Sequence, residues 1–170
     1  MVRTCIWLLV VLNLSLGSLA HAQTCPPANE RVAPNSRYTN HGNGAVTDSK
    51  TALMWKQCSE GQSGSSCTGS YIAQVWQTAL TTANNSTFAN YSDWRLPSVK
   101  ELQSLVETGC HSPAINTALF PNTPSTYFWT STTYAPNASV AWVVDFDNGG
   151  VSVNGSKSGG LGVRLVRAGQ

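Results

Sequence analysis

Asp145 and Asp147 stand two residues apart in the stretch Ala141–Asp147. An extended backbone sends both carboxylates to one side at about 7 Å, a spacing that paired acids can use on a glycoside but that any strand produces. Asn148 follows at a turn, and Asn137, Ser139, Ser152, Asn154 and Lys157 lie nearby in the chain, so the same region gathers donors and acceptors for a hydroxyl-rich ligand. Nucleophilic chemistry is poorly served. His41 sits in a Gly/Asn-rich run, His111 follows Cys110, and the sequence has no Gly-x-Ser-x-Gly elbow to set a hydroxyl beside a base. The glycine-rich Ser158-Gly159-Gly160-Leu161-Gly162 precedes a strand pattern, which lacks the helix N-terminus that a phosphate cradle uses. These residues point to binding without turnover, so no catalytic residue is assigned and the protein is read as a non-enzyme.

The cysteines carry a different message. Arg3, the apolar run Cys5–Leu16 and the small-x-small site Ala20-His21-Ala22 read as an export signal, residues 1–22, removed on secretion and leaving no membrane span. Cys25, Cys58, Cys67 and Cys110 then remain, an even number in an exported chain, which favours two disulfides. Three pairings are open. The short polar stretch between Cys58 and Cys67 favours closing that loop and leaves Cys25 with Cys110 as the long-range link. Zinc is disfavoured because the chain has no C-x-x-C and its remaining histidines are far from ligand spacing. The product is expected outside the cytoplasm: released, periplasmic or at the cell surface.

Only 11% of residues are charged and the formal net charge is +2, so the clustered Lys and Arg that displace counterions from nucleic acid are missing. With 41% hydrophobic residues, including six Trp, the 170-residue chain can build one aromatic-rich core and is of single-domain size.

Several elements must hold the polar residues in place. Residues 23–36 form an extended lead-in, and 37–170 the domain. Short strands are expected at Arg37–Thr39, Ala45–Asp48 and Thr51–Lys56, with a turn at Asn40–Gly44. Ser70 is placed to cap a helix over Tyr71–Ala83, where Ile72, Val75, Trp76, Ala79 and Leu80 share one face. Ser98-Val99-Lys100-Glu101 is a capping box that starts a second helix, ended by Gly109. Period-two patterns then give strands at Phe128–Ser131, Val140–Phe146, Gly150–Val153 and Val163–Arg167, with a hairpin at Asn148-Gly149-Gly150. The fold class is α+β, two helices on a short, mostly antiparallel sheet with long loops. Alternation sends Trp142, Val144 and Phe146 to the core, and Val143, Asp145 and Asp147 outward beside Ser152 and Asn154. Asn137, Ser139 and Lys157 extend this platform from the adjoining loops.

An ordered set of six blocks supports a family resemblance: Gly44–Asp48, Thr51–Trp55, Asp93–Leu102 with its Trp-Arg-Leu-Pro, Phe128–Ser131, Ala141–Phe146 and Val163–Arg167. Together, spanning about residues 37 to 169, they resemble the DUF1566 family, the Legionella collagen-like protein C-terminal domain. The resemblance implies a C-type-lectin-like fold related to formylglycine-generating enzymes. It also implies a role in adhesion through sulfated glycans. Arg95, Arg164 and Arg167 would then brace loops or pair with Asp93, Glu101 or Glu107, leaving Lys157 as the one cation beside the platform. Asp145, Asp147, Asn148 and Asn137 offer the hard oxygens that calcium takes, but the Trp-Asn-Asp and Glu-Pro-Asn runs of calcium lectins are missing, so no cofactor is assigned. The expected function is a secreted recognition or adhesion domain for glycans or surface proteins. The alternatives are a retroelement-diversified ligand-binding protein and an envelope or pilus component, and the oligomeric state is left open.

Overall fold

The computed structural model describes residues 23–27 and 30–169, so the expected export signal lies outside the described residues. Two antiparallel sheets form an α+β fold with two helices. The first sheet has the order β1 (Tyr38–Asn40), β2 (Ala45–Asp48), β3 (Leu53–Lys56) and β7 (Val166–Ala168). The second is β4 (Tyr127–Thr133), β5 (Val140–Asp145) and β6 (Val151–Ser156). Among the described residues, no helix is long and apolar enough to cross a membrane.

Successive residues of these strands enter two different cores. Val46, Trp55, Phe128 and Val144 join one core with Leu102, Leu105 and Phe120, while Ala45, Met54, Trp129 and Val143 join the other with Ala79, Ala83, Trp94 and Leu165. A period-two backbone delivers neighbours to opposite faces, so both faces of the strands are covered. The one-sided alternation expected for β5 therefore fails: Val143, placed outward by that argument, is only 1% exposed. It lies opposite Trp129 across the β4–β5 ladder. Gly155 makes room for that pair, since a Cβ there would stand 2.5 Å from Trp129 Cζ3 and 2.6 Å from Val143 Cγ1.

The first helix, α1 (Trp76–Asn84), starts later than the sequence pattern places it, and Ser70 is not its cap. The N–H groups of Ile72, Gln74 and Trp76 instead donate to the carbonyls of Glu60, Leu161 and Lys157. That extended pairing outcompetes the extra helical turn and leaves Ile72 and Val75 exposed. The second helix, α2 (Val99–Gln103), has the expected capping box: Ser98 accepts from the Glu101 N–H and Glu101 accepts from the Ser98 N–H. Both disulfides pair as favoured, Cys25 with Cys110 and Cys58 with Cys67. The first fastens the lead-in, aided by Glu107, whose buried carboxylate accepts the N–H groups of Val32 and Ala33 at 2.7 and 2.9 Å.

Candidate functional site

The acidic side chains are tied into the scaffold. Asp48 accepts two bonds from the Arg37 guanidinium and one each from Thr51 Oγ1 and the Lys50 N–H. Burial would raise its carboxyl, but these donors outweigh it and hold Asp48 below the usual carboxylate range. Glu101 takes a forked contact from Arg95 at 2.8 and 2.6 Å, and this bond, with the cap N–H, holds its carboxyl down at about 2. Arg167 Nε donates to Asp93 at 2.7 Å, and Lys56 Nζ meets Glu60 at 2.7 Å. The Arg95 and Arg167 pairings are among those that the family resemblance implies.

Arg164 behaves differently. It is fully buried over the Phe120 ring, 5.0 Å from its centroid, and donates to the carbonyls of Lys56 and Gln57 and to the hydroxyls of Ser59 and Thr123. Desolvation pushes its pKa down to about 9, which still leaves a cation at neutral pH. The strand expected over Val163–Arg167 is found at Val166–Ala168, and Arg164, just before it, turns inward onto the carbonyls of Lys56 and Gln57.

The residues proposed as one platform divide into two groups at opposite ends of β5. At the β5–β6 turn, Asp145 is 9% exposed and accepts the Asp147 N–H, the Asp147 carboxylate accepts from Ser112 Oγ at 3.0 Å, and Asn148 accepts the Gly150 N–H. These oxygens shape the turn. At the other end, the β4–β5 turn carries Asn137 and Ser139, and the Lys157 N–H donates to the Ser139 carbonyl at 2.9 Å. Asn154 is exposed on β6, and Ser152, opposite Val143, is half-buried. The oxygens of Asp145, Asp147, Asn148 and Asn137 therefore do not converge. Among the described residues, no group of three or more His, Cys, Asp or Glu gathers where it could hold a metal ion. His41 is engaged with Thr47 Oγ1 at 2.8 Å, and His111 pairs its backbone with Thr24.

The Asn137 end has aromatic rings that the platform argument missed. Lys157 Nζ stands 3.9 Å from the centroid of the Trp76 ring and donates to Thr133 Oγ1. Tyr134 and Trp142 meet edge to face at 5.9 Å, and all three rings are half-buried. The signal was available in Tyr134, beside the Asn137 turn, and in Trp142, two residues after Val140.

A second feature escaped the sequence entirely. A cleft of about 540 Å³ lies between the β1–β2 turn and the loop closed by Cys58–Cys67, lined by Asn40, Asn43, Lys56, Gln62, Ser63 and Phe88 among others. Gly44 keeps φ at +84°, and a Cβ there would stand 2.7 Å from Phe88 Cζ, so the ring can sit against the turn only because this position is glycine.

A family profile described as the Lcl C-terminal domain matches residues 44–167. Its first matched residue follows β1, yet β1 is an edge strand of the first sheet and Tyr38 lies in the core. Comparison with curated proteins finds no match.

Proposed function

The chain belongs to the Lcl C-terminal domain family, and from that premise we propose that it is a secreted, non-catalytic recognition or adhesion domain for glycans or surface proteins, built on a C-type-lectin-like scaffold. The observation that carries this reading is the end of the second sheet, where half-buried Tyr134 and Trp142 meet edge to face beside the turn that carries Asn137 and Ser139, and where Lys157, bonded to Ser139 through its backbone, covers the half-buried Trp76 ring. Rings give an apolar face for the C–H side of a sugar or for a protein side chain, and the amide, hydroxyl and ammonium groups fix orientation. The structural commitments of Asp48 and Glu101 support binding over acid–base turnover, because a carboxylate held by several donors is a poor proton acceptor near neutral pH. Two disulfides and an oxygen-rich, weakly charged composition suit an exported protein.

The test is a glycan array and a panel of immobilised surface proteins, probed with wild type and with Asn137→Ala, Lys157→Ala and Asp147→Ala. Loss of signal in the first two with retention in Asp147→Ala supports the Asn137 end as the contact surface. Equal binding by all four proteins removes that end from the account.

A further inference from the structure

The lead-in opens with a side chain tied across the fold. Gln23 is half-buried, and its carboxamide is received by residues 113–117. Nε2 donates to the Pro113 carbonyl at 2.7 Å and to the Ile115 carbonyl at 2.5 Å, while Oε1 accepts from Thr117 Oγ1 at 2.7 Å. Both amide hydrogens are used, and exchanging the two amide atoms would set oxygen against two carbonyls, so the orientation is fixed. The residues that follow keep Gln23 at this place. Thr24 and His111 exchange backbone hydrogen bonds at 3.1 and 2.9 Å, and Cys25 is joined to Cys110. The receiving segment is itself bonded to the end of the second sheet, through the Ala114 N–H to the Phe146 carbonyl at 2.6 Å.

In the sequence Gln23 directly follows Ala20-His21-Ala22, the small-x-small site at which export would cut the chain. A cut there gives Gln23 a free α-amine, and an amino-terminal glutamine can close on itself. The amine nitrogen attacks Cδ, the new C–N bond closes a lactam ring, the Cδ–Nε2 bond breaks, and a proton passes to the departing nitrogen, which leaves as ammonia. No oxidant, reductant or co-reactant is needed. The fold opposes this step at a definite atom. Nε2, the leaving group, carries two of the three hydrogen bonds, so the carboxamide must come away from Pro113 and Ile115 before the ring can form.

We propose that Gln23 is the amino-terminal residue of the exported protein and a latent pyroglutamate site, held open by residues 113–117 while the lead-in is docked and closed to the lactam once docking is lost. The inference rests on the secretion reading above and goes beyond it. Cyclisation discards Nε2 and with it both carbonyl bonds, and it removes the terminal positive charge. A chain that has once lost this contact therefore refolds without the peg that seated its first residue.

The experiment uses the chain expressed with its own residues 1–22 and collected from the exported fraction. Intact mass and sequencing of the terminal peptide identify the first residue and read ring closure as the loss of one ammonia. The terminus is expected at Gln23, with the carboxamide intact through incubation in native buffer. In urea with the disulfides reduced, the ring should form at least about tenfold faster, the size expected when the hydrogen bonds to Nε2 are gone. Thr117→Val keeps the side-chain shape and deletes the donor to Oε1; confirmed as folded by its tryptophan fluorescence, it should cyclise about two- to tenfold faster than wild type in native buffer. An exported protein that begins at another residue, equal rates with the fold intact and lost, or a Thr117→Val rate equal to wild type overturns this inference and leaves the recognition reading standing. A chain kept unprocessed inside the cell overturns the secretion that both assume.

Discussion

Removing the charge of Asp48 should be among the most damaging conservative substitutions in the protein. Asp48 is fully buried, and Arg37, its forked partner, has a side chain only 8% exposed that also donates to the Ser104 carbonyl at 3.0 Å just after α2. Asp48→Asn keeps the shape, loses one acceptor oxygen and leaves the guanidinium without a counter-charge. Orphaning one member of a buried pair costs about 3–5 kcal/mol, a large share of the roughly 5–15 kcal/mol that holds a domain together. At about 2–4 °C per kcal/mol for a chain this long, the melting midpoint should fall by about 6–20 °C. The sign of the pH dependence follows from the depressed carboxyl of Asp48. Its contribution is complete above the unfolded value, near pH 3.9, and disappears as pH falls through the lower folded value. Denaturant unfolding followed by tryptophan fluorescence at pH 7 and pH 2 reads both effects. The gap between wild type and variant should be wider at pH 7 than at pH 2. In a cycle with Arg37→Met, the double variant should lose about 1–3 kcal/mol less than the two singles combined. A pH 7 loss below about 1 kcal/mol, or additive singles, would refute the buried-pair argument.

Three further perturbations test other parts of the scaffold. Gly155→Ala drives a methyl against Trp129, Val143 and the Ala141 carbonyl and should cost about 1–3 kcal/mol or more by denaturant midpoint, because the carbonyl cannot give way as a side chain can. Replacing Cys25 and Cys110 by serine opens a link across 85 residues and should cost about 4–5 kcal/mol, whereas replacing Cys58 and Cys67, 9 apart, should cost less than about 3 kcal/mol. A carboxyl-detected NMR titration should place Glu101 at about 2 in wild type and bring it toward the ordinary glutamate value of about 4.3 in Arg95→Met.

Local rules with short reach were legible in the sequence. Ser98 and Glu101 are three residues apart, so their reciprocal cap is decided within one turn, and the Cys58–Cys67 pairing follows from a short, polar loop. What required the fold was knowledge of the second neighbour. The Tyr71–Val75 stretch has helical spacing, yet carbonyls of Glu60 and Leu161, distant in sequence, take its N–H groups. Val143 carried a clue that alternation overrode: Val140–Val144 is an unbroken apolar run, the pattern of a strand buried on both faces, and reading it that way would have kept Val143 out of the binding platform. The cleft left no such trace, because its walls come from segments around Asn40, Lys56 and Phe88 whose approach depends on Gly44 and the first sheet.

The double coverage of the inner strands bears on where the proposed contact surface can lie. A sheet with one wet face can recognise a partner through alternate side chains along its strands, which is the arrangement that alternation alone gives Asp145, Ser152 and Asn154. Here β2 to β5 send residues into cores containing Trp55 and Phe128 on one side and Trp94 and Trp129 on the other, which leaves strand ends, loops and the edge strands as the surface open to the proposed recognition. Those loops are also the places where the scaffold invests in rigidity. The Arg164 guanidinium fixes the carbonyls of Lys56 and Gln57 at the lip of the cleft, and the Lys157–Ser139 hydrogen bond ties the turn that carries Asn137. A polar loop held in one conformation loses less entropy when a ligand arrives, so a weakly charged surface can bind through few hydrogen bonds and a ring face without long-range attraction. Binding through the Asn137 end, where Lys157 is the one cation named, should accordingly depend only weakly on salt, and a steep fall in affinity between low and high ionic strength would point to more charged contacts than that lysine supplies.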